Sequence, residues 1–273
     1  MSQSMQQRIK QLIHSADGLL ITAGAGMGVD SGLPDFRGNQ GMWQAYPALG
    51  RKKMDFTQIA NPQAFRQQPR LAWGFYGHRL DLYRKTQPHD GFYLLQKLIK
   101  QQQLDYFIFT SNVDGQFQKA GFDDDLIYEC HGSIHHVQCS QPCQNEIWQA
   151  DDLLINIDKE NCQWLDDLPL CPHCQNAIIR PNILMFNDDY WLEQRSHQQA
   201  ECLSIWLKKH HNPVVIEMGA GTAIPTVRLF SEQFSPNLIR INPREAQLPK
   251  QGGVALNVGA KAGIDIIVQA LSL

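Results

Sequence analysis

No stretch of this 273-residue sequence approaches the ~20 consecutive apolar residues needed to cross a bilayer. The opening MSQSMQQRIKQLIHSADG likewise holds no uninterrupted apolar core of signal-peptide length, so a cytoplasmic protein is expected. Neither sign of charge dominates: 24 Lys and Arg stand against 27 Asp and Glu, a net charge of −3 that gives no footing for a broad nucleic-acid surface. Internal repeats and low-complexity blocks are also missing, which sets aside solenoids and disordered chains. What remains, 43% hydrophobic and 19% charged residues, is the composition of a globular protein able to bury a sizeable core, as one large domain or one with a smaller insertion.

Cysteine is scarce but unevenly placed. Of seven, four fall into two close pairs, Cys139/Cys143 and Cys171/Cys174. In a reducing compartment such pairs suggest a metal before a disulfide framework, and four thiolates can close a tetrahedron around structural Zn²⁺. The Cys171-Pro-His-Cys174 pair alone could be a redox site; the second pair favours zinc. Cys162 and His173 are available as substitute ligands at poorer spacing.

The stretch from Leu19 to Trp43, LLITAGAGMGVDSGLPDFRGNQGMW, organises the chain. An apolar run breaks into Gly24-Ala25-Gly26, which reads as a buried strand entering a turn whose backbone can approach a phosphate. The dinucleotide pattern G-x-G-x-x-G is not met, so this alone is weak. Helical spacing covers residues 5–15, 69–83, 92–100 and 193–209, and strand-like runs cover 106–110, 126–130, 213–218 and 238–242. Tyr76 and Arg79 share a face of the second helix, where a surface Arg beside a half-buried Tyr would be the plain reading. Strand 106–110 delivers Ser111, Asn112 and Asp114 at its carboxyl end, the side on which open α/β sheets bind ligands, although Asn and Asp there also serve as turn-formers. The next run delivers His131, close to His135 and His136; read without context, the three could be a metal cluster.

Taken together, Gly24-Ala25-Gly26, Ser31-Gly32-Leu33-Pro34-Asp35-Phe36-Arg37-Gly38, Asn112-x-Asp114, His131-Gly132, the paired cysteines and Arg180-Pro181 resemble the signature of the sirtuins, NAD-consuming protein deacylases, over about residues 19–267. The resemblance implies an α/β fold: a Rossmann-like parallel sheet with helices on both faces (1–43, 88–136, 181–273), a helical insertion (44–87) and a small zinc-ribbon insertion (137–180). It assigns NAD to Gly24, Ala25, Gly26, Asp35, Phe36, Arg37, Trp43, Ser111, Asn112, Asp114, His131, Gly221, Thr222, Asn242 and Ala262. Within that set Asn112 positions the ribose, Asp114 receives the nicotinamide amide, Phe36 shields C1′, and His131 is the general base. His135 and His136 become ordinary polar residues at a domain junction. The segment Ile183, Met185, Phe186 would pair with the substrate peptide by strand addition, and Tyr76 with Arg79 resembles the pair that recognises an acidic acyl group. The implied route is attack of the acyl-lysine carbonyl oxygen on C1′ as nicotinamide leaves, then collapse of the alkylimidate to O-acyl-ADP-ribose and free lysine, with acyl-lysine proteins as partners. Departures are Ser111 for the usual Gln, Gln116-Phe117 for Leu-His, Asn187-Asp188 for Gly-Glu, and Ala223 for Ser. Rival functions are ADP-ribosyl transfer or NAD hydrolysis at the same site, and a non-catalytic NAD-sensing module.

Overall fold

In this computed structural model, residues 2–34, 38–249 and 252–272 are described, residues 38–41 by backbone alone. The chain opens with helix α1 (Gln3–His14) and strand β1 (Leu19–Ala23), which leads through two 3-10 turns (residues 25–27 and 29–31) into a helical run. That run is α2 (Gly38–Ala45), α3 (Pro47–Arg51), α4 (Phe56–Ile59), α5 (Pro62–Gln67) and α6 (Pro69–Lys85). Next come α7 (Asp90–Gln102), β2 (Tyr106–Thr110), α8 (Gln116–Lys119), β3 (Ile127–Glu129), β4 (Gly132–Cys139), β5 (Ile147–Gln149), β6 (Ile157–Asp158), β7 (Gln163–Trp164) and β8 (Ile179–Ile183). The chain ends on α9 (Gln194–Lys209), β9 (Val214–Met218), α10 (Thr226–Glu232), β10 (Leu238–Ile241), β11 (Val254–Leu256) and α11 (Ala260–Leu271).

Six of these strands form one parallel sheet in the order β11-β10-β9-β1-β2-β3. Its central strands are apolar on both sides because both sides are covered, and the two-residue alternation of a strand sorts the side chains. Leu19, Ile21, Ile108, Val214 and Ile216 face a core closed by α1, α7 and α11. Leu20, Phe107, Phe109 and Val215 face the opposite core, closed by α9 and α10. This is the doubly covered α/β sheet the sequence implied. The run 126–130 yields only a three-residue strand, since residues 124–126 turn before it starts.

A second sheet, antiparallel β5-β4-β8, carries the cysteine pairs. It packs with α2–α6 around one hydrophobic core that takes in Met42, Phe65, Trp73, Tyr76, Ile134, Trp164 and Ile179. Trp73 ties the two parts directly, its indole N–H donating to the Ile179 carbonyl at 2.9 Å. Strand β4 starts at Gly132 and β8 ends at Ile183, so this sheet includes residues on both sides of the expected boundaries at 136/137 and 180/181. The large sheet and the second core meet where β3 ends and β4 begins, and His131 lies in that junction.

Candidate active site

The carboxyl ends of β1, β2 and β9 open into a cavity of about 590 Å³. Two glycine turns form one wall. Gly219 has φ +62°, and a Cβ there would meet the backbone carbons of Gly26 at 2.4 Å, so the turns touch main chain to main chain. Neighbouring main chain occupies two of the three amides in the Gly24-Ala25-Gly26 turn that reads as approaching a phosphate. Gly24 N–H donates to the Met218 carbonyl at 3.0 Å and Gly26 N–H to the Gly219 carbonyl at 3.1 Å. Exposed Ala25 lies between them at the cavity wall, and Gly221 opens onto the cavity, with only a Glu245 oxygen within 4 Å of where its Cβ would stand.

Thr110 fixes the next wall. Its hydroxyl donates to the Ala23 carbonyl at 2.9 Å and accepts the Asn112 N–H at 3.0 Å, which joins the ends of β1 and β2. Asn112 then donates its side-chain amide to the Gly24 carbonyl at 3.0 Å. Asp114 accepts the Gln116 N–H at 2.9 Å, yet burial outweighs that bond and the nearby Arg79 charge and pushes its carboxyl up to about 6. Burial lowers the His131 pKa, against a bond to the Ser111 carbonyl that raises it, so the imidazole is held neutral near pH 7. Behind it, Glu129 is buried and ion-paired with Arg195, and the Ser196 hydroxyl donates to the Glu129 carbonyl, so α9 anchors the strand that presents His131.

His131, Ser111, Asn112, Asp114, Gly24, Ala25, Gly221, Thr222, Tyr76, Arg79, Ile183, Met185 and Phe186 all line this cavity. Other expected residues do not. Asn242 is buried beneath it, donating to the Ala220 carbonyl and accepting the Arg244 and Glu245 amides, so it shapes the loop that carries Glu245. Gly26 packs on Gly219, and Ala262 is exposed at the start of α11. Trp43 packs on Gly50 and donates to the Met54 carbonyl. Asp35, Phe36 and Arg37 lie outside the described residues.

Sequence reading missed Glu245, whose carboxylate meets the Thr222 hydroxyl, and Tyr83, which lines the cavity beside Arg79. Nothing local marks Glu245, but Tyr83 was findable: Tyr76, Arg79 and Tyr83 share the i, i+3, i+7 face of one helix. Arg79 bonds this third residue, its Nε and Nη2 donating to the Tyr83 oxygen at 3.0 and 2.8 Å, while its guanidinium carbon stands 5.8 Å from the Tyr76 ring centre.

The return segment is held by a fully buried pair. Arg180 Nη1 and Nη2 meet Asp188 Oδ2 and Oδ1 at 2.8 Å each, and Asp188 also accepts the Met185 and Tyr190 amides. Asn187 takes φ +54° there, a left-handed position that Asn tolerates better than most side chains. The Asn187-Asp188 departure thus keeps a turn of defined shape under the cavity.

The thiols of Cys139, Cys143, Cys171 and Cys174 lie within 4.8 Å of one another. The Cys139–Cys174 and Cys143–Cys171 sulfur separations, 4.0 and 3.7 Å, suit the edges of a Zn–S₄ tetrahedron, ~3.8 Å for ~2.3 Å bonds. Main-chain amides of Ala177 and Asn176 lower the Cys174 pKa, while burial raises those of Cys139 and Cys143, so it is the sulfur geometry that marks the site. Cys162 is buried elsewhere, its Sγ near the Leu71 carbonyl, and His173 pairs with Glu146, so neither substitutes. No histidine cluster forms among the described residues: His135 Nε2 bonds the Asp114 carbonyl at 2.9 Å, bracing the loop below the cavity.

Residues 24–217 match the Sir2 family. The chain belongs to that family. Among curated sirtuins it is 25% identical over 248 residues to the NAD-dependent protein deacylase of Aquifex aeolicus, covering 90% of this chain and 92% of that one. It is 29% identical over 233 residues to the NAD-dependent protein deacylase of Leptospira interrogans serovar Lai, covering 82% and 80%. A solved Sir2 homologue in complex with NAD shares the fold, with TM-score 0.71 at 22% identity over 98% of this chain and 94% of that chain.

Proposed function

We propose that the cavity takes NAD and an acyl-lysine together, with Arg79 at the far end of the acyl group. The chain is an NAD-dependent protein deacylase with protein or peptide acyl-lysine substrates. One observation carries the reading: His131, Asn112 and Asp114 share a single cavity with two glycine turns and with Tyr76 and Arg79. NAD supplies the electrophile: the acyl carbonyl oxygen displaces nicotinamide from its ribose, a ribose hydroxyl adds to the acyl carbon, and with one water consumed the acyl group ends on ADP-ribose while lysine is released. His131, held neutral, takes a proton from a ribose hydroxyl as that oxygen attacks the activated acyl carbon. Asn112, fixed on the Gly24 carbonyl, orients the ribose, and Asp114 accepts the nicotinamide amide. Ala25, Gly221, Thr222 and Glu245, which line the same cavity, would take the adenosine half. Ile183 to Phe186 offers main chain to the peptide, and the Cys₄ site, closed to water by its four thiolates, holds zinc as a structural ion.

For the acyl group we favour short acidic chains, malonyl or succinyl, alongside acetyl. A buried guanidinium is a strong partner for a carboxylate, and Arg79 sits with phenols around it. Mass spectrometry of an acyl-peptide panel with NAD tests both levels. Acyl-ADP-ribose is expected; free or protein-bound ADP-ribose without deacylated peptide would instead support NAD hydrolysis or ADP-ribosyl transfer. Arg79→Met should lower the succinyl-to-acetyl ratio of kcat/KM by about ten- to a hundredfold, and an unchanged ratio removes Arg79 from acyl recognition.

A further inference from the structure

We propose that Tyr83 is a third acyl-recognition residue, donating its hydroxyl hydrogen to the distal carboxylate and making the pocket select against long unbranched acyl chains. The proposal rests on the acidic-acyl reading of Arg79 and adds a residue that the Tyr-x-x-Arg pair does not contain.

Tyr83 lies one helical turn beyond Arg79 on α6, is 5% exposed and lines the cavity. Its oxygen receives two N–H bonds from one guanidinium, at 3.0 and 2.8 Å. A phenol oxygen accepts at most about two hydrogen bonds, so with both positions taken Tyr83 can only donate. Burial raises its pKa, which keeps that hydrogen in place at neutral pH. Bonds from a cation into the oxygen also polarise the remaining O–H and make it a better donor.

The arrangement defines what the pocket end accepts. An incoming group must bring an acceptor, and a carboxylate can take the Tyr83 hydrogen while its charge lies beside Arg79. A methyl terminus reaching this point would leave the buried phenol hydrogen without an acceptor; a site built to hydrogen-bond rejects the analogue that cannot. Acetyl-lysine, two carbons shorter than succinyl-lysine and without a distal carboxylate, has no group to offer Tyr83 and serves as the reference substrate. Lining by Phe56, Ala60, Leu33 and Val113 supplies the apolar sleeve that leads there.

The test compares kcat and KM for acetyl-, succinyl- and hexanoyl-lysine peptides of one sequence in wild type, Tyr83→Phe and Arg79→Met. Tyr83→Phe should lower the succinyl-to-acetyl ratio of kcat/KM about tenfold, mostly through the succinyl KM, and raise the hexanoyl-to-acetyl ratio. Equal losses on all three peptides would make Tyr83 a packing residue and overturn the proposal, as would ratios unchanged within twofold. If Arg79→Met lowers the succinyl ratio but Tyr83→Phe does not, Tyr83 alone falls; if wild type never cleaves succinyl-lysine, the acidic-acyl reading falls with it. A melting curve of Tyr83→Phe separates recognition from unfolding, since retained stability with a lost ratio supports only the former.

Discussion

Asp114 and Arg79 are electrostatically coupled across the cavity. The Arg79 charge holds the Asp114 carboxyl below where burial alone would put it, and the balance leaves it at about 6. Activity that needs the carboxylate is therefore lost as pH falls through about 6. Arg79→Met removes the lowering influence, so the acid limb of kcat/KM should move to higher pH even with acetyl-peptide; a limb that stays in place argues against Asp114 as the titrating group. The same shift has a stability sign. A carboxyl whose folded pKa is raised from 3.8 to about 6 loses folding stability as pH rises across that window, and above it the loss persists. Asp114→Asn should melt at a higher temperature than wild type at pH 7.5 while turning over poorly. His131→Ala should keep NAD binding by calorimetry and lose about 10²–10⁴-fold in kcat/KM.

Among the elements, the start of strand β4 is tightly constrained. Gly132 has φ +77°, and a Cβ there would stand 2.1 Å from the Asn182 carbonyl oxygen of β8. Gly132→Ala should destabilise the fold by more than ~1 kcal/mol from backbone strain alone, read by urea denaturation; unchanged stability would mean that β4 and β8 separate freely. Much of this scale was legible in the sequence. The runs 106–110, 213–218 and 238–242 became β2, β9 and β10 within a residue or two, because buried parallel strands are continuous apolar runs. Cys139 to Cys174 were legible because metal geometry restricts spacing. The occupied amides of Gly24 and Gly26 were not, because the residues that occupy them, Met218 and Gly219, lie far along the chain. Tyr83 could be placed on the Tyr76 and Arg79 face from its spacing, but that its hydroxyl meets the arginine rather than solvent is decided only when the helix is packed.

At the scale of the molecule, two lobes with separate cores share one cavity. Cys139 and Cys171 belong to the same core as Trp73 and Tyr76, so loss of the four-thiol site should also loosen the cavity wall that carries Tyr76. Protein purified without chelator should carry one zinc per chain, and Cys171→Ser should lower the melting point; absence of metal, or an unchanged melting point, would contradict the structural role. Between the lobes, the chain leaves the large sheet at Glu129 and enters the small one at Gly132, and the returning Leu184 N–H donates to the His131 carbonyl at 3.0 Å. The imidazole thus rides on the axle between two bodies rather than on either of them. On the proposed role of His131, a shift of one sheet against the other would re-aim the base, and a misaimed base lowers turnover without loosening the grip on a partner.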